Sequence, residues 1–172
     1  MKTIQSYSIL AVLALCATTS ADDKKETKTL SIERLKALEG TWVKAGEDGK
    51  ATDEVVSKFH LIANGSTIIE SEFPGTAHEM VSIYHQDGKD LVMTHYCAVG
   101  NQPKFKAVTG KKPNTIVWEF AGGTNLDYKK DQHVHKIVMT FVSKDKLQTV
   151  VDFWNKGKVE HSMKFDLVRK KN

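Results

Sequence analysis

Four residues with chemically useful side chains stand in consecutive places: Thr94, His95, Tyr96 and Cys97, followed by Gly100-Asn101-Gln102-Pro103. An imidazole can move protons near neutral pH or ligate a metal, and a thiol can act as nucleophile or ligand once ionised. Two runs of alternating apolar and polar residues flank Asp87-Gly88, a dipeptide suited to a tight hairpin turn. Side chains at i and i+2 of a strand share a face. A two-residue turn at Asp87-Gly88 therefore pairs Tyr84 with Leu91, Ser82 with Met93, Met80 with His95 and His78 with Cys97. The opposite face carries Glu79 and Asp90, which prefer water, so the face of Tyr84, Met93, His95 and Cys97 is expected to point inward.

Further donors lie near the C-terminus. Val159, His161, Met163, Phe165 and Leu167 alternate with polar residues, which turns His161 toward the core. A two-residue turn at Lys156-Gly157 sets Asp152 opposite His161, where a carboxylate would orient the ring. His133 and His135 share a strand face with Ile137, Met139 and Phe141. With His78, His95, Cys97 and His161 they make a donor set suited to zinc or copper, though no compact ligand motif joins them. Catalysis by Cys97 would need a base in reach, such as His78 or His95, with Asn101 and Gln102 as hydrogen-bond donors. No nucleophile elbow or phosphate-binding glycine loop accompanies them, and the commoner role for such groups is a satisfied place in a core.

The elements that position these residues are nearly all strands. Ser31 can cap one short helix over residues 31–39, where Ile32, Leu35 and Leu38 form an apolar face and Gly40 ends it. Strands are expected near Thr41–Ala45, Glu54–Ala63, Thr67–Phe73, Glu79–His85, Asp90–Ala98, Lys104–Thr109, Thr115–Phe120, His133–Val142, Leu147–Trp154 and Val159–Val168. Turn residues separate them, as at Asn64-Gly65, Pro74-Gly75 and Lys112-Pro113-Asn114. Gly122 to Gln132 is the longest irregular stretch. The fold class expected is all-β: an up-and-down antiparallel barrel of about ten strands with a short N-terminal helix. A barrel of that size holds more space than its own side chains fill.

Lys2, the apolar run Ile9 to Ala17 and the small residues Thr19-Ser20-Ala21 read as a signal peptide over 1–21, hence export to the periplasm or medium. The run is too short for a stable membrane anchor. Residues 22–30 are polar and expected to be flexible, and residues 31–172 form a single domain. Removal of the leader takes Cys16 with it and leaves Cys97 as the one thiol, so no intrachain disulfide can form. The net charge of +4 is spread among interspersed acids and bases, with one basic cluster at Arg169-Lys170-Lys171. That pattern argues against nucleic acid as a partner.

Leu38-Glu39-Gly40-Thr41-Trp42-Val43 resembles the Gly-x-Trp first strand of lipocalins and other calycins. The resemblance implies that Trp42 packs at the barrel floor beside a basic residue of the last strand, here Arg169. The chain is also similar to exported lipocalin-like proteins of bacteria that carry a His-Tyr-Cys-Ala-x-Gly-Asn-Gln-Pro segment. Ten-stranded haem barrels of the nitrobindin kind place an axial histidine on the last strand, which His161 would match, but their glycine-rich opening after Gly-Thr-Trp is absent. A Cys-x-x-Cys-His haem-attachment motif is absent too. These resemblances imply a fold and a cavity rather than a reaction. The function expected is binding of a small hydrophobic or amphipathic ligand, without catalysis. Tyr84, Met93, His95, Cys97, Phe105, Trp118, Phe120, Met139, Phe141, His161 and Met163 are the candidate lining. The alternatives are a metal- or haem-binding barrel using interior histidines and a small cavity enzyme using Cys97 with a histidine.

Overall fold

The computed structural model describes residues 30–171. The leader and most of the polar segment after it lie outside the described residues. Leu30, the last residue of that segment, is half-buried against the core.

The chain opens with α1 (Ile32–Lys36), capped by Ser31, whose Oγ accepts the Glu33 N–H at 3.2 Å. The helix is shorter than its apolar spacing predicts. The reason lies in the carbonyls that follow it: Ala37 O and Glu39 O accept from Arg169, and Leu38 O accepts Trp42 Nε1–H at 2.7 Å. Ile32, Leu35 and Leu38 are nonetheless all buried.

Ten strands follow: β1 (Gly40–Ala45), β2 (Ala51–Ile62), β3 (Thr67–Glu72), β4 (Met80–Asp87), β5 (Asp90–Tyr96), β6 (Gln102–Thr109), β7 (Thr115–Thr124), β8 (His133–Ser143), β9 (Lys146–Asn155) and β10 (Lys158–Arg169). Each pairs antiparallel with its sequence neighbours, and β1 pairs with β10 to close the barrel. The architecture is thus the expected up-and-down barrel with a short N-terminal helix. β7 runs on to Thr124, so the irregular stretch begins at Asn125 rather than Gly122, with Asn125 at φ 52°.

Two registers differ from the sequence reading. The β4–β5 turn is Gly88-Lys89 rather than Asp87-Gly88, since Asp87 pairs with Asp90. Every partner slips by two: Tyr84 faces Met93 and Ser82 faces His95. A slip of two preserves the face, and Ser82, Tyr84, Leu91, Met93 and His95 are buried. In β10 a bulge between Val159 and His161 places His161 opposite Phe153, so Asp152 meets Ser162 instead, accepting its hydroxyl at 2.5 Å. Trp154 does pair with Val159.

The closed end of the barrel is built on Trp42. Its ring is 1% exposed, Arg169 lies opposite it in register, and the guanidinium carbon stands 4.4 Å from the ring centroid. α1 covers this end: Ile32 N donates to Gln86 Oε1 at 3.2 Å, and Arg34 lies over the Phe141 ring at 4.7 Å.

Candidate functional site

Three adjacent strands supply the polar wall. In β3, Ile68 and Glu70 alternate inward with Glu72; in β4, Met80, Ser82 and Tyr84; in β5, Leu91, Met93 and His95, with Cys97 just beyond. Pairing Glu70 with Ser82, and Ser82 with His95, lines up carboxyl, hydroxyl and imidazole across the sheet. Ser57 of β2 pairs with Glu72 in register and reaches Glu70 diagonally with its hydroxyl.

Two short hydrogen-bond chains result. Ser57 Oγ donates to Glu70 Oε1 at 2.6 Å, and the Tyr84 hydroxyl donates to Glu70 Oε2. Ser82 Oγ donates to Glu72 Oε1 at 2.6 Å and meets His95 Nδ1 at 2.9 Å, with Glu72 Oε1 itself 3.4 Å from Nδ1. The wall therefore holds an acid–phenol pair next to an acid–imidazole pair.

Burial and neighbouring charge set the proton affinities. Loss of solvent, then the Glu72 charge, pushes Glu70 up to about 8 against its hydrogen bonds from Ser57 and Tyr84. Burial, with Glu70 and Glu72 near, pushes Tyr84 well above its ordinary value. Burial alone would lower His95, but its interactions with Cys97 and Glu72 outweigh that and push it up to about 9. Burial would raise the Cys97 thiol; His95 and nearby backbone N–H groups draw it below its ordinary value instead. The thiol donates to Met80 Sδ at 3.8 Å, and His95 Nε2 makes no hydrogen bond of proper geometry.

This wall borders a cavity of about 440 Å³, within the range that accommodates small-molecule ligands. Ser57, Glu70, Glu72, Tyr84 and His95 form its polar side. The rest is mainly apolar: Val56, Phe73, Met80, Val134, Ile137, Met139, Val151, Phe153, Met163 and Phe165. A second compartment of about 420 Å³ shares His78, Val134, Phe153 and Met163 with it, and adds Cys97, Val99, Gln132, His133 and His161.

The residues singled out from sequence fall into three groups. Tyr84, His95, Met139 and Met163 line the inner cavity. Cys97 and His161 line the outer compartment; His161, expected to face the core, is instead exposed and stacked on Phe153 at 4.6 Å, because the bulge after Val159 shifts its register. Met93, Phe105, Trp118, Phe120 and Phe141 line neither. Met93, Phe105 and Trp118 are packed into solid core, Trp118 against Tyr84 at 5.1 Å, and Phe141 lies under Arg34. Phe120 stacks on His135 at 4.8 Å, and His135 stacks on Trp154 at 3.5 Å. His133 Nδ1 bonds Asp131 O at 2.9 Å, and its Nε2 meets His135 Nδ1 at 3.0 Å. The two rings satisfy each other instead of converging on a common point. The bulge between Val134 and Lys136 accounts for this, because it turns Val134 to the cavity and breaks the shared face of His133 and His135 with Ile137. Among the described residues, no group of three or more His, Cys, Asp and Glu side chains is placed to hold a metal ion.

Glu70 and Glu72 are the site residues that sequence reasoning missed. Thr67-Ile68-Ile69-Glu70-Ser71-Glu72 puts apolar residues on both faces and glutamates on one, which reads as solvent-facing. The available signal was the face itself: Ile68, Glu70 and Glu72 alternate together, and Ile68 is wholly buried. No family model matches the chain, and no curated protein or solved structure matches it either.

Proposed function

We propose that this barrel is an exported binding protein that holds a small hydrophobic or amphipathic molecule in its inner cavity. One observation carries the reading: a cavity of about 440 Å³ whose wall is largely apolar but carries two adjacent hydrogen-bonded groups, Ser57–Glu70–Tyr84 and Glu72–His95 bridged by Ser82. An apolar body supplies affinity by leaving water, and a few convergent polar groups fix its orientation. Burying two carboxyls and an imidazole costs stability unless they are paired, so their place on a cavity wall fits a role in recognition better than a role in folding.

Native mass spectrometry of protein purified from its own source tests this directly. The expected spectrum holds a low-mass organic guest that is lost on denaturation. Protein that is guest-free from its source, and also fails to take up apolar molecules added to it, would end the binding reading. Export rests on the leader pattern of Lys2 to Ala21. N-terminal sequencing of the mature protein should begin near Asp22. A product that keeps Met1, or one that starts at a lipid-modified Cys16, would overturn it.

A further inference from the structure

The polar wall is not saturated. Glu72 Oε2 and His95 Nε2 are buried and have no hydrogen-bond partner among the described residues. His95 is 3% exposed and its Nδ1 is already engaged by Ser82 and Glu72, so Nε2 is the atom left to act. Both residues border the inner cavity. A buried donor or acceptor without a partner is costly, and a guest carrying the complementary atoms recovers that cost.

We propose that the guest carries an uncharged head group able both to donate and to accept a hydrogen bond, such as a hydroxyl, on an apolar body. The head docks on Glu72 Oε2 and His95 Nε2. This inference rests on the binding reading above. The charge balance of the wall supports it. Glu70, held up to about 8, is neutral at pH 7, and Tyr84 is neutral as well. His95, held up to about 9, is cationic, with the Glu72 carboxylate as its partner at 3.4 Å. The cluster is thus close to neutral overall. A carboxylate head would lie beside the Glu72 carboxylate, and an ammonium head beside the imidazolium. Either would also give up its hydration on entering a largely apolar cavity. A hydroxyl accepts from Nε2–H, donates to Oε2 and brings no charge.

The experiment compares ten-carbon probes of one length: decan-1-ol, decanoate, decylamine and the methyl ether 1-methoxynonane. Affinities are measured by calorimetry at pH 7 on the folded chain. The alcohol should bind at least about tenfold more tightly than either charged probe, and more tightly than the ether, which accepts but cannot donate. Glu72→Gln removes the negative charge while keeping shape and hydrogen bonding to Ser82. In that variant decanoate should gain on decan-1-ol, because the imidazolium is left uncompensated; a variant that failed to fold by circular dichroism would leave the wild-type series to decide. Decanoate or decylamine binding the wild type as well as the alcohol would overturn the head-group inference and leave the binding reading standing. So would an ether that matches the alcohol. Failure of all four probes to bind would overturn the head-group inference, and together with protein that is guest-free from its source it would overturn the binding reading as well.

Discussion

Two of the polar clusters in this barrel, one at the floor and one at the cavity wall, are built differently, while Asn101 Oδ1 and Trp118 Nε1 are single buried atoms elsewhere, without a hydrogen-bond partner among the described residues. At the floor the polar groups of Arg169 and Trp42 are paired. Arg169 donates to Ala37 O, Glu39 O, Lys144 O and Asp145 Oδ1, and Trp42 Nε1–H goes to Leu38 O. At the cavity wall the network stops short, with Glu72 Oε2 and His95 Nε2 left open. A closed polar network fixes one arrangement of the chain. An open one in contact with a cavity leaves capacity for something else. The contrast separates a structural clasp from a recognition surface within one fold, although both are built from charged and aromatic side chains.

The floor should show the largest effect. Trp42→Ala removes a ring that is 1% exposed and leaves Arg169 without the surface it covers. The expected loss is about 3–5 kcal/mol, as for other large-to-small core changes, read from urea denaturation. A loss within about 0.5 kcal/mol, typical of surface changes, would mean that the clasp is not structural.

The wall should show itself through pH. Glu70 is raised from 4.5 to about 8, so the native state keeps a proton that the unfolded chain releases. Its contribution to stability is then full below about pH 4.5 and lost as the pH rises through 8. His95, raised from 6.5 to about 9, adds a loss of the same sign over a higher window. Each extra proton held by the native state gives a slope of up to about 1.4 kcal/mol per pH unit. Glu70→Gln should flatten the decline between about pH 4.5 and 6.5, lessen it from there to about 8, and keep the His95 part that runs to about 9. Parallel wild-type and variant curves would show that Glu70 is no more acid-retaining than an ordinary carboxyl.

The smallest effect concerns the junction of the two compartments. The Cys97 thiol is held below its ordinary value with His95 as a cause. Alkylation by iodoacetamide should therefore have a midpoint in pH below that of the unfolded chain, and His95→Gln should move it upward. If the substitution leaves the midpoint where it was, the imidazole does not govern the thiol.

How much of this could be read from sequence depended on what the alternation records. Every strand was legible, because apolar spacing and turn residues such as Asn64-Gly65 and Lys156-Gly157 mark where strands begin and end. The floor was anticipated only through the resemblance carried by Gly40-Thr41-Trp42, which implied a basic residue of the last strand beside the ring. Register was less so. Nothing in Asp87-Gly88-Lys89-Asp90 announces that the pair of turn residues is the later one. The bulges at Val159/His161 and Val134/Lys136 leave no trace in the pattern, yet they decide which partner His161 meets and where His133 and His135 point. Glu70 and Glu72 were hidden for a different reason. Their burial is made acceptable by Ser57, Tyr84, Ser82 and His95, residues contributed by other strands.

Closure of the barrel has a consequence for how the chain reaches this structure. Every strand pairing joins sequence neighbours except that of β1 with β10. Hairpins can form one after another at little cost in chain entropy, while the final seam brings together residues such as Glu39 and Arg169, 130 positions apart. The longest loop in the molecule is therefore closed at one place, and Arg169 with Trp42 stands on that place. The pair that seals the floor thus stands on the one seam that turns a meander of hairpins into a barrel, and the cavity has a complete wall only once that seam is shut.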